Sequence, residues 1–285
     1  MKISFLQLGW RSLTRDLRAG ELRLLLVAVT LAVAALTAVG FFADRLKGGL
    51  QRDARQLMGG DAVVSSDNPI PEAFLAQVKA LGLQQTVNLS FPTMARAPES
   101  DGGSTRLVSL KVVAEGYPLR GRLRVSQQPD ANGDLTSDIP PPGQAWVDAA
   151  VLDALAVPLG GNLLLGESRF KVSRIIVNEP DRGAGFMNFA PRVMINEADI
   201  TATGLIQPAS RVRYRLAVAG DDRPIKAFVE WAQVQLESHA VRGARVEALE
   251  GGRPELSTTL DRAEKFLNLI ALLAALLSAV AVALA

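Results

Sequence analysis

Apolar residues are concentrated in two runs that are long enough to cross a membrane as helices. Residues 24–43 carry no charge and are interrupted only by Thr30, Thr37 and Gly40, and residues 266–285 are also uncharged. Twenty residues of helix rise roughly 30 Å, the thickness of the bilayer hydrocarbon. The pattern therefore predicts two transmembrane helices. A cleaved signal peptide is the alternative for the first run, but signal sequences usually have a shorter apolar core.

Helical spacing continues beyond both runs. Through residues 44–60 the apolar positions include Leu46, Leu50 and Leu57, and Gly59-Gly60 would end that helix. Through residues 257–265 and into the second run, Leu260 and Leu267 keep the same spacing. We predict two helical stalks, 44–60 and 257–265, with these five leucines as transmission residues. Because the second run reaches Ala285, we expect the chain to be the N-terminal portion of a longer membrane protein.

Between the stalks, residues 61–256 alternate between strand and helix periods, which predicts an α+β domain. The predicted strands are 62–66, 86–96, 106–115, 163–165, 170–177, 192–195, 212–218 and 244–249, and the predicted helices are 71–81, 149–156 and 224–237. Proline, glycine and aspartate are frequent in residues 126–144, so this segment is predicted to be a long loop.

The charge distribution predicts an orientation in the membrane. The net charge of +2 combines +3 in residues 1–23 with −1 in residues 44–265. By the positive-inside rule the N-terminus is cytoplasmic. The chain is then predicted to lie in the cell inner membrane, with the domain at 61–256 on its extracytoplasmic side. In the leader, Trp10 belongs to an apolar stripe at helical spacing and Arg11, Arg15 and Arg18 share another face, which predicts a basic amphipathic helix at the cytoplasmic interface. Such a helix is either a topology signal or a contact for a cytoplasmic partner.

The residue inventory excludes most catalytic chemistry. The chain has no cysteine and one histidine, His239, so thiol, disulfide and His-rich metal sites are excluded. None of its lysines follows a glycine, so there is no Walker A phosphate loop, and Gly166–Phe170 lacks the second glycine of a serine nucleophile turn. We predict no enzyme activity, no catalytic residue, no metal and no cofactor in this chain.

Two other segments have weak functional signals. Asp130–Asp134 resembles the start of a calcium loop, but position twelve is Pro141, so a solvated loop is the preferred interpretation. Arg211, Arg213 and Arg215 lie on one face of a predicted strand, but the domain is net negative and poor in aromatics. We interpret them as a solvated sheet face and expect no nucleic-acid partner.

The segment around residues 179–186 is the most distinctive in the domain. Asp181 and Arg182 precede two glycines, Gly183 and Gly185, and then Phe186. This composition predicts a tight loop braced by side-chain hydrogen bonds to the backbone. A structural loop is the first interpretation, and a contact site is the second.

The motifs in four segments resemble one family of membrane proteins. Pro180-Asp181-Arg182-Gly183-x-Gly185-Phe186, followed by Pro191–Met194, is similar to the permeases of the FtsX/MacB/LolCE-type ABC transporter superfamily, most of all to their YbbP-like branch. The segments at 57–64, 115–121 and 146–160 agree with that branch.

The resemblance implies a MacB-like periplasmic α+β domain carried on two transmembrane helices with stalk extensions. It implies a permease subunit whose outer domain moves when a partner ATPase hydrolyses ATP, for export or extraction of lipids or other hydrophobic molecules. The implied partners are membrane lipids, a cytoplasmic ABC ATPase dimer that binds the ATP, and a periplasmic accessory protein or hydrolase. A two-span receptor with an extracytoplasmic sensor domain remains the alternative, since topology alone does not separate the two.

Overall fold

The computed structural model describes residues 15, 21–129, 131–183, 190–208, 210–237, 243–248, 265–266, 269–270 and 273. The chain divides into two compact units, Met1–Gln51 with Arg253–Ala285, and Arg52–Gly252. The helices are α1 (Glu21–Met58), α2 (Glu72–Ala80), α3 (Ala149–Leu155) and α4 (Asp222–Glu237). The strands are β1 (Ala62–Ser66), β2 (Gln84–Arg96), β3 (Thr105–Val113), β4 (Leu123–Ser126), β5 (Asp134–Thr136), β6 (Gln144–Val147), β7 (Asn162–Leu165), β8 (Ser168–Asn178), β9 (Arg192–Asn196), β10 (Arg213–Ala219) and β11 (Ala244–Ala248).

Helix α1 is one continuous element that includes residues 24–43 and most of the first predicted stalk. It ends at Met58 because Gly59 has a φ of 70°, a conformation that favours glycine. In the part of the chain that the structure describes, no helix combines the length and the apolar content that crossing a membrane requires. Most side chains of 24–43 and most residues of 266–285 lie outside the described residues. The two transmembrane helices therefore stay predictions.

The first half of the unit Arg52–Gly252 is a four-stranded antiparallel arrangement covered by α2 and α4. Its strands lie in the order β11-β1-β10-β2, the ferredoxin-like order of a split β-α-β. Phe74 of α2 and Phe228 of α4 pack with Val64 and Leu216 in one buried core. The apolar face of the amphipathic helix predicted at 224–237 thus packs against this sheet.

The second half is inserted between β2 and β10. Strands β2, β3, β9, β6, β8 and β7 pair in that order, and β7 pairs again with β2, so that six strands form a closed ring. The β3–β9 and β6–β8 pairs are parallel. Leu110, Leu163 and Phe170 fill a second core together with Leu155 of α3. Closing the ring leaves these strands without free edges.

The α+β class and the positions of the predicted helices and strands are confirmed, whereas the loop predicted for 126–144 is wrong in part. It contains the last residue of β4, all of β5 and the first residue of β6. The reason is Gly133, which has a φ of 63° and lies where a Cβ would be 2.6 Å from the Val125 carbonyl oxygen. This close approach lets β5 pair with β4 despite the polar sequence around it.

Candidate functional site

A buried group of ionisable side chains lies beside the C-terminal end of α1. We call it the charge cluster: Lys111, Tyr117, Glu179, Asp181, Arg192 and Arg215. Its members come from β3, from the segment after β3, from the residues that follow β8, and from β9 and β10. Buried charges of this kind need partners, because removing an ion from water is costly.

Lys111 is the centre of the cluster. It lies in the buried part of β3 with 3% of its surface exposed. Its Nζ donates hydrogen bonds to Glu179 Oε1 at 2.6 Å, to both Asp181 carboxylate oxygens at 2.9 Å and to Tyr117 Oη at 2.8 Å. Tyr117 Oη in turn donates to Asp181 Oδ1 at 2.5 Å. One ammonium group therefore joins two carboxylates that follow β8.

Arg192 and Arg215 complete the charge balance. Arg192 Nε donates to Glu179 Oε2 at 2.7 Å and Arg192 Nη1 donates to Ser109 Oγ at 2.5 Å. Arg215 Nη1 lies 3.4 Å from Asp181 Oδ2, and Arg215 Nη2 donates to the Met58 carbonyl oxygen at 3.2 Å. The last contact extends the cluster to the final residue of α1.

A second ion pair holds the residues that follow α1. Arg120 donates to Asp61 through Nε at 3.0 Å and through Nη2 at 2.7 Å, and the Arg120 backbone N–H donates to the Gly59 carbonyl at 3.3 Å. Asp61 also accepts from the Gly220 backbone N–H at 3.0 Å. Arg55, in the last turn of α1, donates to Asp222 Oδ1 at 2.8 Å. The last turn of α1 is thus held to α4, and the residues after it are held by Arg120 and by the Gly220 backbone.

The environment shifts the pKa of three members of the charge cluster. Burial opposes ionisation of Glu179 and Asp181, but Lys111 lies beside both, Arg192 beside Glu179 and Arg215 beside Asp181, and together they hold the pKa of each carboxyl below its ordinary value. Burial, followed by the charges of Asp181 and Glu179, raises the pKa of Tyr117 well above its usual value. At neutral pH the two carboxylates are ionised and the phenol is protonated.

The cluster is suited to fixing geometry rather than to chemistry on a substrate. Its carboxylates are saturated with hydrogen bonds and almost fully buried. Among the described residues, no three His, Cys, Asp or Glu side chains are grouped so that they could hold a metal ion. Charge-assisted hydrogen bonds at these distances are directional and short, so the strands and α1 are held in one arrangement.

Of the residues predicted in this loop, the structure describes Asp181, Arg182 and Gly183. Asp181 is buried in the charge cluster, and Arg182 Nη2 donates to Asp148 Oδ2 at 2.8 Å and to the Ala190 carbonyl at 3.2 Å. Gly183 has a φ of 72°. Gly185 and Phe186 lie outside the described residues.

The other predicted residues are distributed as follows. Leu46, Leu50 and Leu57 lie on α1 with exposed side chains, and Arg15 is helical and exposed. Leu260, Leu267, Trp10, Arg11, Arg18 and His239 lie outside the described residues. Of the predicted site residues, Asp181 belongs to the charge cluster.

The prediction that all three arginines of this strand are solvated is wrong for Arg215, which belongs to the charge cluster. Arg211 and Arg213 are exposed, as a solvated face requires, but the Arg215 side chain is only 18% exposed and faces Asp181. Sequence reasoning also missed Lys111, Tyr117, Glu179 and Arg192. The available signal was Lys111 itself, a single charge between Leu110 and Val112 in the mostly apolar second half of β3.

Comparison with known proteins gives one curated relative over most of the chain. The sequence is 31% identical over 271 residues to an uncharacterised ABC transporter permease, YbbP, of Escherichia coli (strain K12). The alignment covers 95% of this chain and 32% of the relative, so the chain spans about a third of that protein's length. No family model matches the sequence.

Two solved structures are similar at lower levels. The extracellular domain of the noncanonical ABC-type transporter YknZ from Gram-positive bacteria is 13% identical, covers 65% of this chain and 98% of its own, and gives a TM-score of 0.40. The periplasmic region of MacB from Actinobacillus actinomycetemcomitans is 12% identical, covers 74% of this chain and 95% of its own, and gives a TM-score of 0.41. Both scores are below 0.5, so the relationship rests on the sequence similarity. Over the aligned residues the chain is a relative of the YbbP-like ABC transporter permease, as its motifs predicted.

Proposed function

We propose that this chain is the N-terminal portion of an ABC transporter permease subunit whose outer domain moves when a partner ATPase hydrolyses ATP. The observation that supports the proposal is the set of hydrogen bonds that holds the C-terminal end of α1. Only Gly59, Gly60 and Asp61 separate Met58 from β1, and Arg215, Arg120 and Asp61 hold this junction through hydrogen bonds. A displacement of the helix end is therefore transmitted to the strands rather than absorbed at the junction.

The proposed placement in the membrane rests on the sequence. The uncharged run 24–43 and the +3 leader favour a transmembrane helix with a cytoplasmic N-terminus, and they leave the domain on the extracytoplasmic side of the cell inner membrane. The described apolar side chains Val33, Phe41 and Phe42 are more than half exposed on α1, which a lipid environment would accommodate. The run 266–285 would return the chain to the cytoplasm.

The proposed partners follow from the sequence relationship. A permease of this class works with an ABC ATPase dimer, which binds the ATP, so this chain needs no nucleotide site of its own. Lipids or other hydrophobic molecules are the proposed substrates, and a periplasmic accessory protein or hydrolase is a further proposed partner. The alternative, a two-span receptor, is not favoured because the relative over 95% of the chain is a permease.

A proline substitution in α1 tests the transmission. Leu50→Pro removes a helix hydrogen bond and should bend α1, whereas Leu50→Ala keeps the helix. The full-length permease and its ATPase would be placed in lipid nanodiscs, with a dye at Ser104→Cys and an acceptor dye on lipid headgroups. We expect energy transfer to change with ATP in the parent and in Leu50→Ala, and to stay constant in Leu50→Pro while the ATPase still co-purifies.

Two results would contradict the proposal. If no ATPase co-purifies with the full-length parent protein, the assignment as a transporter permease fails. If Leu50→Pro shows the same ATP-dependent change as Leu50→Ala, the assembly stands but α1 does not transmit the motion. Because this chain has no native cysteine, the dye position in it is unambiguous.

A further inference from the structure

A cleft of about 610 Å³ lies on the side of the ring formed by β6 and β8. Trp146 of β6 and Ser173 and Arg174 of β8 line it, together with residues 115–116 and 137–141. Its size is within the range of small-molecule sites, roughly 300–1,000 Å³. Several separate segments thus converge on one concave surface.

A β-bulge in the floor of the cleft aims side chains into this region. In the parallel pair of β6 and β8, Ala145 pairs with Val172 but Trp146 pairs with Arg174, which leaves Ser173 as the extra residue. Bulges change the direction of a side chain and are frequent next to binding sites. The bulge places Arg174 opposite Trp146, and its guanidinium lies 5.1 Å from the centre of the indole ring.

Two polar atoms of the cleft residues are buried without a hydrogen-bond partner. In the described part of the chain, Trp146 Nε1 and Ser173 Oγ have no donor or acceptor within reach, and Trp146 is 1% exposed. Buried polar groups are paired in nearly all proteins, so each unpaired group calls for an explanation. Two of them in the wall of one cleft indicate a molecule that supplies an acceptor for the indole N–H and a partner for the hydroxyl.

We propose that this cleft binds a neutral saccharide. The lining offers carboxylates (Glu115, Asp138), amides (Gln127, Gln144), hydroxyls (Ser137, Ser173), and the guanidinium of Arg174 and the indole N–H as donors. Sugar hydroxyls both donate and accept, so one ligand satisfies all of these groups. Ile139 and Pro141 supply apolar surface for the C–H faces of a sugar ring. Two carboxylates against one arginine make an anionic ligand unfavourable.

Arg174 is placed to close over such a ligand. Its Nη1 lies 3.9 Å from Asp138 Oδ2, and both side chains are partly exposed, so the ion pair holds the guanidinium weakly. A bound saccharide would exchange this long contact for direct hydrogen bonds from Arg174. The site does not depend on the proposed transport function, since it uses none of the residues at the end of α1.

Fluorine NMR on the full-length protein labelled with 5-fluorotryptophan tests the proposal. The chain has three tryptophans, and Trp146→Phe assigns the resonance. Titration with maltose and with di-N-acetylchitobiose should move the Trp146 resonance saturably for at least one of the two sugars. Ser173→Ala should weaken that binding roughly three- to tenfold, the effect of one lost hydrogen bond. Ser104→Ala, at an exposed serine that precedes β3 and does not line the cleft, should leave it unchanged.

Three results would overturn the proposal. The first is the absence of a saturable shift with either disaccharide, which would mean that the cleft holds water only. The second is a shift with inorganic phosphate in place of the sugars. The third is equal sugar affinity in Ser173→Ala and the parent while the Trp231 resonance shows that both are folded.

Discussion

At the scale of single residues, Lys111 determines how the domain is held together. An ammonium group in a buried strand is unfavourable unless carboxylates surround it, and here Glu179 and Asp181 do so within 2.9 Å. Both carboxylates depend on the same lysine, so a single substitution affects two buried charges. Lys111 therefore contributes more to the free energy of unfolding than a lysine on the surface would.

Lys111→Met should destabilise the domain by about 3–5 kcal/mol, because it leaves two buried carboxylates without their nearest cation. The measurement is thermal unfolding of the full-length protein, followed by near-ultraviolet circular dichroism. Lys79→Met is the matched control, since Lys79 is exposed on α2 and should change stability by less than about 0.5 kcal/mol. Equal effects of the two substitutions would contradict the role assigned to Lys111.

The pH dependence of stability follows from the same contacts. The pKa values of Glu179 and Asp181 are lower in the folded state than in the unfolded chain. Their contribution is therefore present above the unfolded values, near pH 4, and is lost as pH falls through the lower folded values. In Lys111→Met both pKa values should be depressed less, so the stability lost on acidification should be smaller than in the parent. Melting temperatures measured across acidic pH check this, and identical profiles would contradict it.

At the scale of secondary structure elements, the end of α1 is determined by Gly59. Its positive φ ends the helix, and its lack of a side chain admits Asp181, whose Cβ would lie 3.1 Å from a Cβ at this position. Gly82, which follows α2, has a similar φ of 66° but nothing within 4 Å of such a Cβ. A comparison of the two helix ends therefore separates the cost of a left-handed backbone from the cost of displacing the Asp181 side chain.

Gly59→Ala should lower the melting temperature more than Gly82→Ala. Both changes carry the left-handed backbone cost of roughly 1–2 kcal/mol, but only Gly59→Ala also displaces the Asp181 carboxylate. Thermal unfolding of the two variants against the parent gives the comparison. If the two alanine variants melt at the same temperature, the packing of Asp181 against the helix end contributes nothing.

At the scale of the whole molecule, the charge cluster lies where the two halves of the unit Arg52–Gly252 meet. It joins β3 and β9 of the strand ring to β10 of the ferredoxin-like half and to the end of α1. Arg215 makes the link to α1, through the Met58 carbonyl. In the proposed function, motion of the helix reaches the strand ring through this region.

Arg215→Met should weaken coupling in the full-length transporter while leaving ATPase binding intact, because Asp181 retains Lys111 but Met58 loses its donor. The ratio of transport or domain motion to ATP hydrolysed is the measured quantity. Arg213→Met is the control, since Arg213 lies on the same strand and is exposed. A coupling ratio that is equal in both variants and in the parent would exclude transmission through Arg215.

The sequence by itself determined the elements that depend on short-range pattern. The spacing in Ala62–Ser66 and in residues 224–237, and the glycines after Met58, predicted a strand, a helix and a helix end where the structure has them. These features depend on neighbours within a few positions, so local periodicity and backbone conformation are sufficient. The motif around Asp181 likewise predicted the relationship to the permeases.

Only the tertiary structure decided which charges meet. Lys111 is 70 residues from Asp181, and Arg215 is 157 residues from Met58, so no local pattern could pair them. For this reason Arg215 was interpreted as solvated, and β5 and the unpaired Trp146 Nε1 were not anticipated. The physical reason is that the free energy of a charge or a polar group depends on its surroundings, and the closed strand ring and the inserted half of the domain create those surroundings.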